Sequence, residues 1–191
     1  MTDEHIEFWS GGFGDAYTDR NQVDWSKRVP FWSNMIWLTQ PSSVLEVGCN
    51  AGWNLMAIES VDKKVILSGV EINEKARLTA IENGFPVEPK AGHEIGSLLP
   101  HDMVFTAGVL IHVSQQDLGR TMRAIVDNSA RYVLAIEYAD TEEVEVEYRG
   151  HSNKLWRRPY GELYQEFGLR LVSTGEAEGF DDCTYWLLEK Q

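Results

Sequence analysis

Short apolar runs alternate with helix-like segments along most of the chain, and this alternation restricts the fold more than any other feature. The runs SSVLEVGC, VILSGVEI, DMVFTAGV and YVLAIEY are short and rich in apolar residues, as expected of strands that are buried on both faces. Segments with helical spacing separate them, over Gly52 to Ser60, Glu74 to Glu82 and Gln115 to about Ser129. Strands that alternate with helices in this way are typical of an α/β fold with a parallel sheet.

The end of the chain differs, because two predicted strands follow each other without a helix between them. RLVSTGE and CTYWLLEK are joined by a glycine-containing turn, and a weak strand around residues 86–90 completes a set of seven. We therefore predict a Rossmann-like, doubly wound sheet of seven strands, mostly parallel, with a C-terminal antiparallel hairpin. The length of 191 residues fits a single domain, with a helical cap region over residues 1–40 and the Rossmann-like core over residues 41–191.

Several residues mark the predicted ends of helices. Asn73 is suited to cap the N-terminus of the helix that follows it. Asn83 and Gly84 can end that helix, because both tolerate a left-handed backbone. Another helix is predicted over residues 24–38, where Pro30 marks a kink or a second start.

The charge balance excludes several classes of partner. The chain has 30 Asp and Glu residues against 17 Lys and Arg, a formal net charge of −13. Such a protein is repelled at long range by nucleic acid and by anionic lipid. No apolar run approaches the roughly 20 residues that a membrane helix needs, and the N-terminus MTDEHIEFWS lacks the pattern of a signal peptide. We therefore expect no nucleic-acid partner and no membrane association.

Cysteine and histidine usage argues against a disulfide framework and against a metal site. Cys49 and Cys183 are too few for a framework or a metal cage, and the five histidines lack metal-ligand spacing. We expect a reducing, cytoplasmic location and no metal. The sequence leaves the oligomeric state open.

A glycine-containing turn between the first predicted strand and its helix carries the clearest functional signal. In VLEVGCNAGWNL, Gly48 and Gly52 allow the backbone to approach a ligand closely. Glu71 follows Gly52 by nineteen residues, at the end of the second strand, where it can accept both hydrogen bonds from a ribose diol. This pattern indicates a nucleoside-containing cofactor, and a turn that serves packing alone is the competing interpretation.

Two common nucleotide-binding patterns are absent from this turn. The dinucleotide fingerprint would need glycines where Asn50 and Trp53 stand, so NAD and FAD are disfavoured. The Walker pattern of P-loop proteins is missing as well. What remains is E-x-G-x-x-x-G, formed by Glu46, Gly48 and Gly52.

The remaining pattern resembles motif I of the class I S-adenosylmethionine-dependent methyltransferases, with Asn50 in place of the usual middle glycine. DMVFTAGVLIHVS resembles the fourth motif of that family, whose residues line the methyl donor and face the acceptor. The resemblance implies the class I methyltransferase fold, S-adenosylmethionine as cofactor and a small-molecule acceptor. The implied cofactor-binding residues are Tyr17, Arg20, Glu46, Gly48, Cys49, Asn50, Gly52, Glu71, Ile72, His93, Glu94, Ala107, Gly108 and Val109.

Three of these residues, Arg20, His93 and Glu94, have a second interpretation. Tyr17 and Arg20 could close over the donor, with Arg20 pairing with the methionyl carboxylate, or Arg20 could be an ordinary surface arginine. His93 and Glu94 could approach the adenine, or they could belong to a solvated loop.

A narrower resemblance concerns the two ends of the chain and the segment after the fifth strand. FWSGGFGDAYTDRN, YRGHSNKLWRRPYGELY and DDCTYWLLEK resemble the small methylases associated with pseudaminic acid biosynthesis clusters. This resemblance implies a polar or acidic acceptor, such as a nonulosonic acid sugar or its nucleotide-activated form, methylated on oxygen or nitrogen.

Residues of the acceptor side come from the fourth motif and from a local basic segment. His112, just past the fourth strand, is the candidate general base, or else a histidine that satisfies a backbone carbonyl. The basic segment could attract an anionic acceptor, or it could balance the glutamates that precede it. Its predicted substrate-binding residues are Tyr148, His151, Arg157 and Arg158.

Alternative functions stay open beside a methyltransferase of this kind. The chain could bind the cofactor as a partner subunit without chemistry, or serve an unrelated small-molecule pathway. A nucleic-acid methyltransferase is disfavoured, because the [DNS]-P-P-[YFW] segment expected after the fourth strand is replaced by TAGV and the net charge is negative.

Overall fold

The computed structural model describes residues 3–191, whose centre is a seven-stranded sheet in the order β3-β2-β1-β4-β5-β9-β8. Strands β1 to β5 pair in parallel, whereas β9 runs antiparallel to both β5 and β8. This topology confirms the predicted mostly parallel sheet with a C-terminal hairpin. The strands are β1 (Ser43–Val47), β2 (Ile66–Val70), β3 (Val87–Glu88), β4 (His101–Ala107), β5 (Ser129–Glu137), β8 (Arg170–Glu176) and β9 (Thr184–Glu189), and a separate hairpin is formed by β6 (Val144–Glu145) and β7 (Trp156–Arg157).

Three helices precede β1, and further helices separate most of the parallel strands that follow. Three short 3-10 turns lie over Trp25–Arg28, Gly92–Ser97 and Leu110–His112. The helices are α1 (Asp3–Ser10), α2 (Gly12–Arg20), α3 (Val29–Thr39), α4 (Trp53–Val61), α5 (Glu74–Glu82), α6 (Gln115–Asn128) and α7 (Tyr160–Gln165).

Each face of the sheet has its own apolar core. Successive side chains of a strand point to opposite faces, so Val44 packs in one core and its neighbour Leu45 in the other. Trp32 of α3 and Leu55 of α4 belong to the first core, and Leu118 of α6 to the second. Burial on both faces explains why the parallel strands are continuously apolar in sequence.

Helix ends follow the predictions in part. The Asn73 side chain accepts a hydrogen bond from Ala76 N and caps α5 as predicted. The helix predicted over residues 24–38 is divided: a 3-10 turn comes first, and Pro30 lies at the start of α3, where its missing N–H costs nothing. Helix α5 ends at Glu82, directly before Asn83 and Gly84 as predicted, and of these two residues Gly84 takes the left-handed backbone, with φ of 100°.

The carboxyl ends of β1, β2 and β4 meet where the strand order reverses on either side of β1. In open α/β sheets this switch point is where ligands bind. Among the helices of residues 3–191, none has the length and apolar character needed to cross a membrane.

Candidate active site at the switch point

A cavity opens at the switch point between the sheet and the N-terminal helices α1 and α2. Five stretches of the chain contribute to its wall, so the site exists only in the folded protein. The lining residues are Trp9, Gly14, Tyr17, Thr18, Asn21, Val23 and Arg28; Glu46, Val47, Gly48, Cys49, Asn50, Trp53 and Asn54; Glu71, Ile72 and Asn73; Lys90, Ala91 and Gly92; and Ala107, Gly108, Val109, His112 and Val113.

The turn from β1 to α4 lies directly against the turn that follows β4. The backbone N–H groups of Gly48 and Cys49 both donate to Val70 O, at 2.8 and 3.1 Å. Gly48 has φ of 70°, and a Cβ there would lie 2.6 Å from Val109 Cγ2. This position therefore requires glycine for its backbone conformation and for the close approach of the two turns.

Asn50 stands in the middle of this turn and contributes two hydrogen bonds to it. Its φ of 48° is left-handed, a conformation that asparagine adopts more readily than other side chains. Its Oδ1 accepts from Ala51 N at 2.8 Å, and its backbone N–H donates to Glu71 Oε2 at 2.9 Å. The backbone at this position thus links the turn to the acid at the end of β2, while the asparagine side chain stabilises the turn itself.

Glu71 is a buried carboxylate that joins two turns of the cavity wall. Oε2 accepts from Asn50 N, and Oε1 accepts from Asn73 N at 2.8 Å. Burial raises the pKa of Glu71, and the backbone donors partly oppose that effect. Each carboxylate oxygen can accept more than one hydrogen bond, so this acid can hold the backbone and a ligand together.

A chain of polar side chains runs from Arg28 to Glu46 at the other end of the cavity. Arg28 Nη1 donates to Asn54 Oδ1 at 2.9 Å, and Asn54 Nδ2 donates to Glu46 Oε1 at 2.6 Å. Glu46 is 2% exposed, and its Oε2 has no hydrogen-bond partner among residues 3–191. Burial raises the pKa of Glu46 to about 8. A buried acceptor without a partner beside an arginine is suited to a ligand that carries an ammonium and a carboxylate.

This burial predicts a stability effect of Glu46→Gln that grows with pH. Between the ordinary pKa of 4.5 and the folded value of about 8, the folded protein holds a proton that the unfolded chain has lost. The free energy of unfolding of the wild type therefore falls as pH rises through that range. We expect Glu46→Gln to gain stability relative to the wild type from pH 5 to pH 9, on the order of 4 kcal/mol.

Denaturant unfolding at several pH values checks this expectation, with the exposed Glu59 as the control position. Glu59→Gln should track the wild type at every pH. A constant difference between Glu46→Gln and the wild type from pH 5 to pH 9 would contradict the raised pKa.

His112 lines the cavity, and a hydrogen bond from its ring fixes its position. Its Nδ1 lies 2.6 Å from Lys154 O, and since a carbonyl only accepts, Nδ1 carries the proton and Nε2 keeps a lone pair. Trp9 and Tyr148 pack against the ring, with centroids at 4.4 and 5.0 Å. Burial lowers the pKa of His112 to about 4. The imidazole is therefore neutral at pH 7, with Nε2 able to accept a proton.

Helices α1 and α2 cover the cavity through contacts on two sides. Asn73 Nδ2 donates to Asp15 Oδ1 at 2.9 Å and contacts Trp9 O, and Lys75 pairs with Asp19. On the opposite side, Lys154 Nζ lies 3.4 Å from Glu4 Oε1. These contacts place Trp9, Gly14, Tyr17 and Thr18 over the ends of the strands.

Ten of the predicted cofactor-binding residues line the cavity. Gly52 does not line it but belongs to the turn after β1, where its φ is 82°. Arg20, His93 and Glu94 lie outside the lining. Arg20 is exposed, with its guanidinium 4.9 Å from the Phe13 ring centroid, and Glu94 accepts from Ala91 N at 2.9 Å. The ten are Tyr17, Glu46, Gly48, Cys49, Asn50, Glu71, Ile72, Ala107, Gly108 and Val109.

The predicted basic segment does not form a free cationic surface at the cavity. Arg158 is buried and donates to Glu143 Oε2 at 2.6 Å, and Arg157 donates to Asp182 Oδ2 at 2.6 Å. The interpretation that the segment balances the preceding glutamates therefore fits Arg158, whereas the partner of Arg157 is a later aspartate. Tyr148 contacts His112 from outside the lining, and His151 packs against the rings of Phe8 and Phe13.

Several lining residues were not predicted from the sequence. Arg28 lies in no motif, and only tertiary contacts bring it to the cavity. Asn54 lies in VLEVGCNAGWNL and Trp9 in FWSGGFGDAYTDRN, but neither was among the predicted binding residues. Asn73 was expected only as a helix cap, yet its Nδ2 also holds the covering helix α2. Within residues 3–191, no group of three or more His, Cys, Asp or Glu side chains is arranged to hold a metal ion.

Comparisons with known proteins show similarity of structure and not of sequence. No protein-family model matches the chain, and no curated protein matches it significantly. Solved structures do match over the full chain. One is the 1,6-didemethyltoxoflavin-N1-methyltransferase of Burkholderia thailandensis with bound 1,6-didemethyltoxoflavin and S-adenosylhomocysteine. It has a TM-score of 0.78 at 13% identity, covering 100% of this chain and 91% of that one.

Two further matches act on different molecules according to their descriptions. The magnesium protoporphyrin IX methyltransferase of Synechocystis PCC 6803, with bound S-adenosylmethionine, has a TM-score of 0.72 at 13% identity and covers 100% and 99% of the two chains. The sugar N-methyltransferase of Streptoalloteichus sp ATCC 53650 has a TM-score of 0.70 at 14% identity and covers 95% and 94%. The chain therefore has the fold of the class I methyltransferases.

Proposed function

We propose that this protein is an S-adenosylmethionine-dependent methyltransferase that acts on a small polar metabolite. The observation that carries the proposal is the pair of buried carboxylates, Glu46 and Glu71, on one cavity wall at the switch point. Two of the similar structures contain S-adenosylmethionine or S-adenosylhomocysteine, and this supports S-adenosylmethionine as the methyl donor here.

The chemistry of the wall suits the parts of this donor. Glu71 would accept from the ribose hydroxyls, and the unpartnered Oε2 of Glu46 would accept from the α-ammonium group. Arg28 would pair with the α-carboxylate, the role first expected of Arg20. Lys90, Ala91 and Gly92, which line the cavity after β3, would lie beside the adenine.

When bound, S-adenosylmethionine supplies a methyl group that its sulfonium already activates. The protein then has to orient the acceptor and exclude water, and such positioning can contribute roughly 7–11 kcal/mol. His112 would receive the acceptor's proton at Nε2, while its Nδ1–H stays bonded to Lys154 O. Trp9 and Tyr17 of the covering helices would close the acceptor side.

The acceptor is proposed from the narrower sequence resemblance, which favours nonulosonic acid sugars and their nucleotide-activated forms. The described sugar N-methyltransferase shows only that this fold can serve a sugar acceptor in another protein. An assay with methyl-labelled S-adenosylmethionine against a panel of these sugars, neutral sugars and unrelated small metabolites tests the proposal. Donor binding with no transfer to any of them would instead favour the partner-subunit alternative.

Arg28 and Arg20 form a matched pair that tests how the donor's carboxylate is held. We expect Arg28→Ala to raise the Kd for S-adenosylmethionine by about 10-fold or more, as for a lost charged hydrogen bond of about 1.5–3 kcal/mol. Arg20→Ala should leave the Kd within about twofold, because Arg20 lies outside the lining. Calorimetry measures both, and the reverse ranking would restore Arg20 as the carboxylate partner.

Glu71 is tested with Glu94 as its matched control. Both carboxylates accept a backbone N–H near the cavity, but only Glu71 belongs to the lining. We expect Glu71→Ala to raise the Kd for S-adenosylmethionine by roughly 10- to 100-fold. Glu94→Ala should raise it much less, because Glu94 only holds the backbone of Ala91 and does not line the cavity. Equal affinities in folded Glu71→Ala and wild-type protein would mean that the ribose is held elsewhere.

A further inference from the structure

A buried carboxylate at the end of β5 supports the turn that carries His112. Glu137 is 0% exposed, and its Oε1 accepts from Val109 N and Leu110 N at 3.2 and 3.1 Å. Its Oε2 accepts from Ile111 N at 3.3 Å. One side chain thus satisfies three consecutive N–H groups just before His112, in a stretch that begins at Val109 on the cavity wall.

Arg158 holds the same turn through its carbonyl. Its Nη1 donates to Leu110 O at 3.0 Å, while its Nε is bonded to Glu143. The His112 ring is bonded in turn to Lys154 O, four residues before Arg158. The turn over 109–111 is therefore fixed by an acid on its N–H groups and by a cation on its carbonyl, and both of these side chains are buried.

A purely packing role does not account for an ionisable group at this position. An apolar side chain would fill the space at lower cost than a buried carboxyl, but it would leave three buried N–H groups without acceptors. Burial raises the pKa of Glu137 to about 7, and the neighbouring Thr106 hydroxyl and the three backbone donors oppose that effect. The titratable groups that interact with it are Tyr160 and Tyr164 of α7 and Cys183 before β9.

We propose that Glu137 is a positioning residue, which orients the turn over 109–111 and so sets the place and the burial of the His112 imidazole. The catalytic consequence rests on the proposed function, but the effect on the turn and on the imidazole does not. Glu137 touches neither cavity nor ring in this arrangement, and acts through the backbone it holds.

The test compares Glu137→Gln with Glu137→Asp and with Leu188→Ala. Glutamine retains one carbonyl oxygen, and its NH₂ group faces at least one N–H donor. Aspartate keeps the carboxylate, but its side chain is one methylene shorter, so the carboxylate lies farther from the three N–H groups. Leu188 is fully buried, pairs with Val133 of β5 and shares the core of Leu110 and Ile111. Its truncation therefore lowers stability but leaves the three hydrogen bonds from the turn to Glu137 in place.

Two readouts at the turn distinguish positioning from general stability. At pH 8, hydrogen exchange of the amides of residues 109–111 should be at least about tenfold faster in Glu137→Gln than in the wild type. Nitrogen NMR of the histidine rings between pH 5 and 8 should show neutral His112 in the wild type. In the variant it should show partial protonation near pH 6, because a loosened ring is less buried. Glu137→Asp should fall between the two, and it carries the test if Glu137→Gln does not fold.

The role of Glu137 and the methyltransferase proposal can be rejected independently of each other. The proposal is overturned if exchange at 109–111 and the His112 titration stay as in the wild type, or if Leu188→Ala changes them equally. Calorimetry of S-adenosylhomocysteine on the wild type is run in parallel. Absence of binding there would reject the methyltransferase proposal and leave the NMR result to decide the role of Glu137 by itself.

Discussion

Gly48→Ala is expected to abolish measurable binding of S-adenosylmethionine. The new Cβ would lie 2.6 and 3.2 Å from the two Cγ atoms of Val109, and φ of 70° adds a cost of about 1–2 kcal/mol for a residue other than glycine. The turns after β1 and β4 would separate, and both line the cavity. A loss of at least about 100-fold in affinity, roughly 2.8 kcal/mol, should appear in calorimetry.

A second substitution in Val109 separates this contact from general damage. Val109→Ala removes the two Cγ atoms that a Cβ at Gly48 would meet. We therefore expect the double variant to bind better than Gly48→Ala alone, with the remaining deficit due to backbone conformation. Additive losses, or normal affinity in Gly48→Ala, would show that the two turns need not touch for binding.

His112→Ala is expected to lower kcat by about 10²–10⁴, the usual contribution of a general base. The KM for S-adenosylmethionine should change little, because the proposed donor contacts come from Glu46, Glu71 and Arg28. Steady-state kinetics on the acceptor identified in the labelled assay measure both constants.

His112→Asn tests whether the ring acts as a base or only as a tether. The asparagine amide can donate to Lys154 O as His112 Nδ1 does, but it offers no basic nitrogen. We expect kcat of His112→Asn to be as low as that of His112→Ala. Full kcat in His112→Asn across pH 6 to 9, with methyl transfer rate-limiting, would make the tether to Lys154 the whole role of His112.

Local sequence signals predicted the sheet and the part of the cavity wall formed by the turn after β1 and by Glu71. The parallel strands are apolar on both faces and strongly marked in sequence. The turn at Gly48 and Gly52 and the acid at Glu71 depend on positions close together in the chain. Local pattern was sufficient there because a β–turn–α unit fixes its own geometry.

Residues brought in by tertiary packing could not be predicted in this way. Arg28 and Arg20 are both arginines of the N-terminal region, and only the course of the chain after α2 places Arg28 beside Asn54. Arg157 and Arg158 suggested an anion site because their partners, Asp182 and Glu143, are distant or ambiguous in sequence. Which carboxylate pairs with an arginine depends on the tertiary structure and cannot be read from the local sequence.

The role of Glu137 also could not be predicted from the sequence. In YVLAIEY it appears as one acid at the end of an apolar strand, with no spacing that relates it to residues 109–111. Its three N–H donors lie 26 to 28 residues earlier in the chain. The parallel pairing of β4 and β5 brings the two strand ends together.

A calorimetric titration of S-adenosylmethionine into the wild-type protein tests the central claim most directly. We expect saturable binding of one molecule per chain. Because an ammonium beside Glu46 would lower its pKa from about 8, binding at pH 7.5 should also release part of a proton, seen as heat that depends on the buffer. Saturable binding with buffer-dependent heat that is lost in Glu46→Gln is the result expected. No binding of S-adenosylmethionine or S-adenosylhomocysteine to the folded protein would contradict the proposal that this cavity holds the methyl donor.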